Sequence, residues 1–262
     1  MLSVVINTYN EEKNIAECIN SVKGIANEIV VCDMYSSDNT VKIAESLGAT
    51  IFLHKKEKVV EPARFSAISS ARYDWILVLD ADERMIPETA SRISEAINSG
   101  NYDIIYMWSR NYYFGDYVNN GGFYYEIPRC FKKELYVTSY SDDEAKTHMN
   151  FSSIQKQCRS PLHLSKEFYY NHLAYDSIEK YVSKTIGYYA CVEASDKYRE
   201  GLKFSKSKLI LQPVKTFIKK YFILKGYKDG IRGLVLCVFY SVYEFSKWAN
   251  VWMLEQQEKA RN

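Results

Sequence analysis

No C-x-x-C pair occurs in this sequence, and Cys18, Cys32, Cys130, Cys158, Cys191 and Cys237 are scattered along its length. That excludes the usual zinc and dithiol frameworks and predicts reduced thiols in a cytosolic protein. There is neither a G-x-G-x-x-G nor a G-x-x-x-x-G-K-[ST] run, which removes the dinucleotide fingerprint and the P-loop, so any phosphate must be held another way. Internal repeats and low-complexity segments are also missing. No charged stretch precedes an apolar run at the start, where residues 2–6 read only as a strand, so no signal peptide is expected. The longest apolar-looking run, 233–243, lies between Arg232 and Glu244 and is too short to cross a bilayer.

What is present is globular. Of 262 residues, 47% are apolar and 25% charged, enough to bury a full core as one large domain or a domain with an appendage. Aromatic content reaches 15%, with 23 tyrosines, which suits flat or sugar-like ligands, although tyrosine is also an ordinary half-buried strand residue. Net charge is 34 minus 32, or +2, but residues 197–232 carry eleven Lys or Arg against Glu200 and Asp229, a local +9, so the remainder sums to −7.

Apolar periodicity sets the order of elements. Residues 2–6 predict a strand, and 7–10 a turn into a helix with Glu11 and Glu12 in its first turn, where carboxylates suit the helix dipole. Ile15, Cys18, Ile19 and Val22 give that helix one apolar face. Residues 28–33 predict a second strand closing on Asp33. After a polar turn at 36–39, a helix carries Val41, Ala44 and Leu47 inward and stops at Gly48; residues 50–53 make a third strand. This alternation predicts a parallel sheet with right-handed crossovers. A helix over 63–71 follows Pro62, and another runs from Pro87 to near Gly100 with Ala90, Ile93 and Ile97 buried. Beyond it, 104–108, 127–131 and 135–137 read as strands without intervening helices, 112–125 as a hairpin or mobile loop, and everything from Ser177 as mostly helix.

Between the two central helices lies Trp75-Ile76-Leu77-Val78-Leu79-Asp80-Ala81-Asp82-Glu83, a run of five large apolar residues that ends abruptly in acid. Such runs are strands buried on both faces, and ligands of open α/β sheets bind at their carboxyl ends. A period of two places the Asp80 and Asp82 side chains on one side of an extended backbone. Two carboxylates so close repel unless a positive group intervenes or one takes up a proton. A divalent cation that also grips a diphosphate would resolve the repulsion, since magnesium and manganese take oxygen ligands and share them with substrate phosphates. The alternative for an isolated D-x-D is a solvated strand end, or a helix N-cap before Pro87.

At this point the chain resembles the family 2 glycosyltransferases, whose nucleotide-sugar-binding GT-A fold is an α/β sheet, mostly parallel and flanked by helices. The matching residues are V-V-I-N-T-Y-N-E-E near the start, V-V-C-D with S-S-D-N-T after it, the helix bearing Arg64, and L-V-L-D-A-D-E. Their order and spacing over about the first 110 residues carry the match. The resemblance implies a nucleotide-sugar site built from Thr8, Tyr9, Asn10, Asp33, Arg64, Asp80, Ala81 and Asp82. Tyr9 would lie against uracil, Asp33 would accept a hydrogen bond from the base, Arg64 would lie near the diphosphate, Asp80 near the ribose or the metal, and Asp82 would bind manganese or magnesium directly. The family often has Pro where Asn7 stands. Read as structure alone, Tyr9 is a strand-end packing residue, Asp33 a turn former and Arg64 a surface partner of Glu61.

A narrower resemblance spans nearly the whole chain. P-R-C-F-K-K at 128–133, Thr147-His148, N-H-L-A-Y-D-S-I at 171–178 with Lys184 and Tyr188, and a closing aromatic helix are similar to the bacterial lipopolysaccharide core β-glycosyltransferases. Members of that subfamily transfer glucose from UDP-glucose to an inner-core heptose. A glutamate commonly follows the histidine matching His148; here Met149 stands instead. The division implied is 1–110 for the nucleotide-sugar half, 111–176 for the acceptor half and 177–262 for a helical C-terminal extension. Inverting transfer needs a base on the acceptor side, for which Asp142, Asp143 and Glu144 are the candidates, with a solvated acidic loop as the alternative. His148 and His172 would contact donor phosphate, acceptor or metal, although a lone histidine is more often structural. His163 has no assigned role.

Lysines 215, 219, 220, 225 and 228 lie among Phe217, Tyr221, Phe222 and Tyr227, and a following helix presents Leu234, Val238, Phe245 and Trp252 with Trp248 nearby. Basic and aromatic residues on an amphipathic helix favour an anionic membrane surface. The expectation is a cytoplasmic enzyme with a peripheral seat on the inner leaflet beside a lipid-linked acceptor; a solvated charged face over a core-packed helix and a homodimer interface are the alternatives. Nucleic acid is not an expected partner, since the charge is confined to one end and no nucleic-acid module is recognisable. Two other functions compete. One is a sugar nucleotidyltransferase, whose glycine-rich basic N-terminal signature is absent. The other is a catalytically degenerate glycosyltransferase-like membrane or assembly protein, against which Asp80 and Asp82 argue.

Overall fold

The computed structural model describes residues 1–56, 60–139 and 151–261. In chain order the first half runs β1 (Leu2–Thr8), α1 (Ile15–Val22), β2 (Glu28–Asp33), α2 (Thr40–Ser46), β3 (Thr50–Leu53), α3 (Glu61–Ser70), β4 (Trp75–Asp80), β5 (Glu83–Met85) and α4 (Pro87–Ser99). There follow β6 (Ile104–Tyr113), β7 (Asp116–Tyr117), β8 (Tyr124–Lys132), α5 (Lys133–Ser139), α6 (Phe151–Gln157), β9 (Pro161–His163) and β10 (Tyr169–Tyr175). The C-terminal helices are α7 (Ile178–Tyr181), α8 (Ala190–Arg199), α9 (Lys206–Ile218) and α10 (Gly230–Arg261), with π-helical turns at Val182–Tyr189 and Lys219–Ile223.

The main sheet has the order β3-β2-β1-β4-β8-β6-β10-β5. β1 to β4 pair in parallel, as the β-α-β alternation predicts. From β4 to β8 the pairing turns antiparallel, so the sheet as a whole is mixed. The two-residue period of β4 explains its sandwiching. Leu77 and Leu79 join Ile15, Ile19 and Ile93 on one face, while Ile76 and Val78 join Ala63, Ala67 and Ile68 on the other. All five apolar residues are buried, each contributing roughly 1.5–3 kcal/mol of transfer free energy. Continuing the alternation, Asp80 falls on the α3 side.

Three sequence expectations are corrected. α1 starts at Ile15 rather than Glu11, because the backbone N–H groups of Glu11 and Glu12 donate to Thr40 Oγ1 at 2.8 Å and Asp38 Oδ2 at 3.1 Å. Residues 135–137 are helical, lying in α5; three apolar residues cannot fix a period, and here Tyr136 stacks on Phe131 at 5.5 Å. Finally, β4 stops at Asp80 and residues 81–82 turn, so the extended backbone that would align Asp80 with Asp82 is absent.

The chain forms two compact units. One comprises Met1–Ser109 with Glu126–His172, the other Arg110–Tyr125 with Leu173–Asn262. The segment 111–176, expected to form one half, is therefore divided. The reason lies in side chains: Tyr113, Val118 and Phe123 share a buried cluster with Tyr181, Leu236 and Cys237. In this second unit Lys220 is turned inward. Its Nζ sits 4.2 Å from the Phe123 ring centre and 4.0 Å from that of Tyr240, and donates to the Gly121 carbonyl at 3.1 Å. Asn120 donates through its backbone and side chain to Asp229 at 2.8 and 3.0 Å. Gly233 lies so close to the 226–229 turn that a Cβ there would stand 2.0 Å from the Gly226 carbonyl oxygen.

Candidate active site

The parallel strands β1, β2 and β4 end together, with Asn7 opposite Cys32 and Asp80, and Thr8 opposite Asp33. This register brings Thr8, Asp33 and Asp80 to one edge of the first unit. Asp33 is buried; its Oδ2 accepts from the Ser36 N–H at 2.8 Å and its Oδ1 from the Ser36 hydroxyl at 2.5 Å, so it shapes the turn after β2. Asn10 has a left-handed backbone, φ 55°, and its Oδ1 accepts from the Ser37 N–H at 2.8 Å. The two turns thus hold each other. Tyr9, between them, is 37% exposed, and Lys56 Nζ lies 3.6 Å over its ring. A flat face is therefore presented to solvent and to a cation.

At the end of β4, α3 supplies a counter-charge. Arg64, buried, donates from Nη2 to Asp80 Oδ1 at 2.8 Å and keeps Nη1 3.7 Å from Glu61 Oε1. The surface pairing with Glu61 is replaced by a cluster of three charges, with Arg64 and Glu61 buried and Asp80 partly exposed. Arg129, from β8, adds a second guanidinium 3.6 Å from Asp80 Oδ2. Burial alone would raise the Asp80 carboxyl, but Arg64, Arg129 and His172 outweigh it and bring it down to about 2, so Asp80 is an anion at any working pH. The repulsion expected between Asp80 and Asp82 is met first by protein cations.

Glu83 and Arg129, to which the sequence reading gave no role, form the centre of this arrangement. Glu83 is fully buried; its Oε1 accepts from Arg129 Nη2 at 2.5 Å and its Oε2 from the Asp80 backbone N–H at 2.9 Å. Burial pushes its carboxyl up to about 7, Arg129 opposing and Asp80 reinforcing the shift. Arg129 also donates from Nε to the Tyr170 hydroxyl at 3.2 Å. The turn at Ala81 is fixed from both sides, its N–H on the Asn7 carbonyl at 3.2 Å and its own carbonyl accepting from Arg84 Nη1 at 2.7 Å. The signal in sequence was the acid three residues past Asp80 and the buried arginine of P-R-C-F, but the pairing needs β8 in place.

β5 and β10 pair antiparallel with His172 opposite Glu83, which carries His172 Nε2 to 3.7 Å from Asp82 Oδ2. Burial favours the neutral imidazole, but Asp82, Glu83 and Asp80 prevail and raise its pKa. Asp142, Asp143, Glu144 and His148 lie outside the described residues. His163 stacks on Tyr106 at 4.3 Å and meets Glu126 Oε2 at 3.0 Å, contacts that account for it within the fold. Among the described residues, no three His, Cys, Asp or Glu side chains converge as a metal cage. Polar capacity is nonetheless unspent: the Asn7 carboxamide, the Thr8 hydroxyl and Arg64 Nε are buried and make no hydrogen bond within the protein. Buried polar atoms ordinarily find a partner, so this edge suits a polar ligand.

The sequence profile described as "Glycosyl transferase family 2" matches residues 3–151, more than half of the chain, including Thr8, Tyr9, Asp33, Arg64, Asp80, Asp82, Glu83 and Arg129 but not Tyr170 or His172. The chain belongs to that family. A relative from Rickettsia typhi, an uncharacterized glycosyltransferase, is 29% identical over 279 residues, covering 100% of this chain and 89% of the relative. In structure, the glycosyltransferase resembles Staphylococcus aureus TarS 1-349 in complex with UDP-GlcNAc, with a TM-score of 0.56, 17% identity, and 100% and 92% of the two chains covered. It also resembles glucosyl-3-phosphoglycerate synthase of Mycobacterium tuberculosis in complex with Mn2+, UDP and glucosyl-3-phosphoglycerate, with a TM-score of 0.51, 15% identity, and 78% and 81% covered. At these identities the likeness is one of fold, that of GT-A glycosyltransferases with a helical C-terminal extension.

Proposed function

We propose that this family 2 glycosyltransferase is an inverting, metal-dependent enzyme. It moves a hexose, glucose foremost, from a UDP-sugar to a lipopolysaccharide core or similar surface-glycan acceptor. The observation that carries the reading is the β4 tip: Asp80 is neutralised by two arginines, and Asp82 follows it on a fixed turn beside His172. The UDP-GlcNAc and Mn2+–UDP complexes of the two structural neighbours support the donor class, and the P-R-C-F-K-K and N-H-L-A-Y-D resemblances support the acceptor class.

The donor set fits a cation only in company. One or two carboxylates make an incomplete cage, and magnesium or manganese in such sites fills its sphere with substrate phosphates and water. Asp82 would hold it, with Asp80 behind and His172 alongside; when bound, it supplies Lewis-acid stabilisation of the leaving diphosphate. The chain's own groups do the rest. Tyr9 offers its ring to the uracil, Asp33 a carboxylate edge to the base, and the unspent Thr8 hydroxyl and Asn7 amide lie at the same strand end. One of Asp142, Asp143 or Glu144 takes the proton of the acceptor hydroxyl as its oxygen attacks the anomeric carbon and the bond to diphosphate breaks. A lipid-linked acceptor would bring this cytoplasmic enzyme to the inner face of the membrane.

A turnover screen of nucleotide sugars, with and without manganese, tests the reading through UDP release. Asp82→Asn is expected to lower that release about 100-fold or more, the scale on which loss of a charge-stabilising group acts. Indifference to every uridine nucleotide in the presence of divalent ions, or release of pyrophosphate in place of UDP, would overturn it.

A further inference from the structure

Soluble helices turn apolar residues inward, but α9 does the reverse. Ile210, Val214, Ile218 and Phe222 recur every four residues along α9 and the π-helical turn after it, and they are 64%, 52%, 46% and 57% exposed. None of the residues of α9 is buried. Around the row stand Lys206, Lys208, Lys215, Lys219 and Lys225, all exposed, and from 203 to 228 there is no Asp or Glu. α10 shows a second row: Ile231, Leu234, Val238, Val242 and Phe245, at spacings of three and four, are 38–81% exposed. Contiguous apolar surface of this extent on a soluble protein marks an interaction site.

We propose that the α9 face, from Ile210 to Phe222, is an interfacial membrane-binding surface whose partner is an anionic lipid bilayer. A row of large apolar side chains flanked by lysines has the chemistry of a helix lying in the headgroup plane, the apolar residues entering the acyl boundary and the lysines meeting lipid phosphates. A second copy of the chain fits less well. A two-fold interface sets a patch against itself, so the lysines would face lysines with no acid between 203 and 228 to offset them. Two residues that sequence alone would include are removed by the structure. Lys220 is enclosed by Phe123 and Tyr240, and Trp248 is buried; neither can reach lipid. The inference deepens the proposed function, giving the enzyme a route to a lipid-linked acceptor, but its geometry is independent of the donor site.

Co-sedimentation of the full chain with vesicles tests it, using phosphatidylcholine alone and phosphatidylcholine mixed with phosphatidylglycerol, without nucleotide. The wild type is expected to pellet with the mixed vesicles only, and less so as salt is raised. Phe222→Glu should abolish pelleting, and Lys215→Gln with Lys219→Gln should weaken it roughly fivefold per lysine. Both variants should keep the wild-type melting temperature and UDP release with a soluble acceptor; should Phe222→Glu fail to fold, the lysine pair decides alone. A wild type left in the supernatant with mixed vesicles would overturn the proposal. So would variants that pellet as well as wild type, or a wild-type dimer in ultracentrifugation that Phe222→Glu dissolves without any vesicle binding. Because no nucleotide is present, such a failure leaves the donor reading standing, and a failed UDP screen leaves this one.

Discussion

Arg129→Met should damage the first unit more than any surface change, and the amount follows from the contacts. The substitution keeps much of the side-chain volume but removes the 2.5 Å ion pair to a fully buried Glu83, the 3.2 Å bond to Tyr170 and the second cation beside Asp80. Stranding one partner of a buried pair costs about 3–5 kcal/mol. Glu83, already pushed up to about 7, can escape by protonating, so the lower end, about 3 kcal/mol, is expected. The sign with pH follows. A carboxyl whose folded pKa lies above its unfolded value contributes most below the unfolded pKa, and that contribution is lost as pH rises through the folded one. With Arg129 gone the folded value rises further, so the variant should be closer to wild type at pH 5 than at pH 8. Urea unfolding followed by far-UV circular dichroism gives the midpoints. Adding Glu83→Gln should return about 1–3 kcal/mol, the usual coupling of neighbours. A single variant within about 1 kcal/mol of wild type, or a double variant no more stable than the single one, would refute the idea that this pair fixes the β4 turn.

Gly233→Ala should cost upward of about 3 kcal/mol, as backbone overpacking does, because its Cβ would meet the Gly226 carbonyl at 2.0 Å; thermal melting reads it. Lys220 is pushed down to about 8 by burial. The unfolded chain therefore binds more protons between that value and the ordinary lysine range, and wild type should gain stability relative to Lys220→Met as pH rises from 8 to 10, a trend that a flat difference would contradict. Tyr9→Ala should weaken UDP binding by about 1 kcal/mol, near fivefold, as loss of one aromatic face does, measured by calorimetry with manganese.

The first half of the fold was legible because its strands are either continuously apolar or closed by acids, and its helices keep one stripe. β1 to β4 and α4 lie where those patterns place them. Beyond residue 100 the signal fades. Tyr-rich β10 alternates too weakly to be distinguished from a loop, and the three apolar residues at 135–137 suit either period. At the site, Tyr9, Asp33 and Asp80 could be found by position at strand ends. Arg64 stood out only as a residue of the helix before the acidic strand, and Arg129 had no role, because what defines them is the partner: one reaches Asp80 from a helix, the other from a strand some 50 residues later. Nor could the alternation of β4 foresee that the turn at Ala81 breaks the alignment of Asp80 with Asp82.

Tyr113, Val118 and Phe123 share their cluster with residues more than fifty positions further on. A gene cut after codon 176, at the apparent edge of the helical tail, would therefore not yield a shorter enzyme. It would remove Lys220 and Tyr240 and strip these three side chains of their buried partners Tyr181, Leu236 and Cys237, and the product should aggregate. The C-terminal third is spliced into the middle of the polypeptide, so truncation, grafting or domain exchange must carry residues 110–125 along with it.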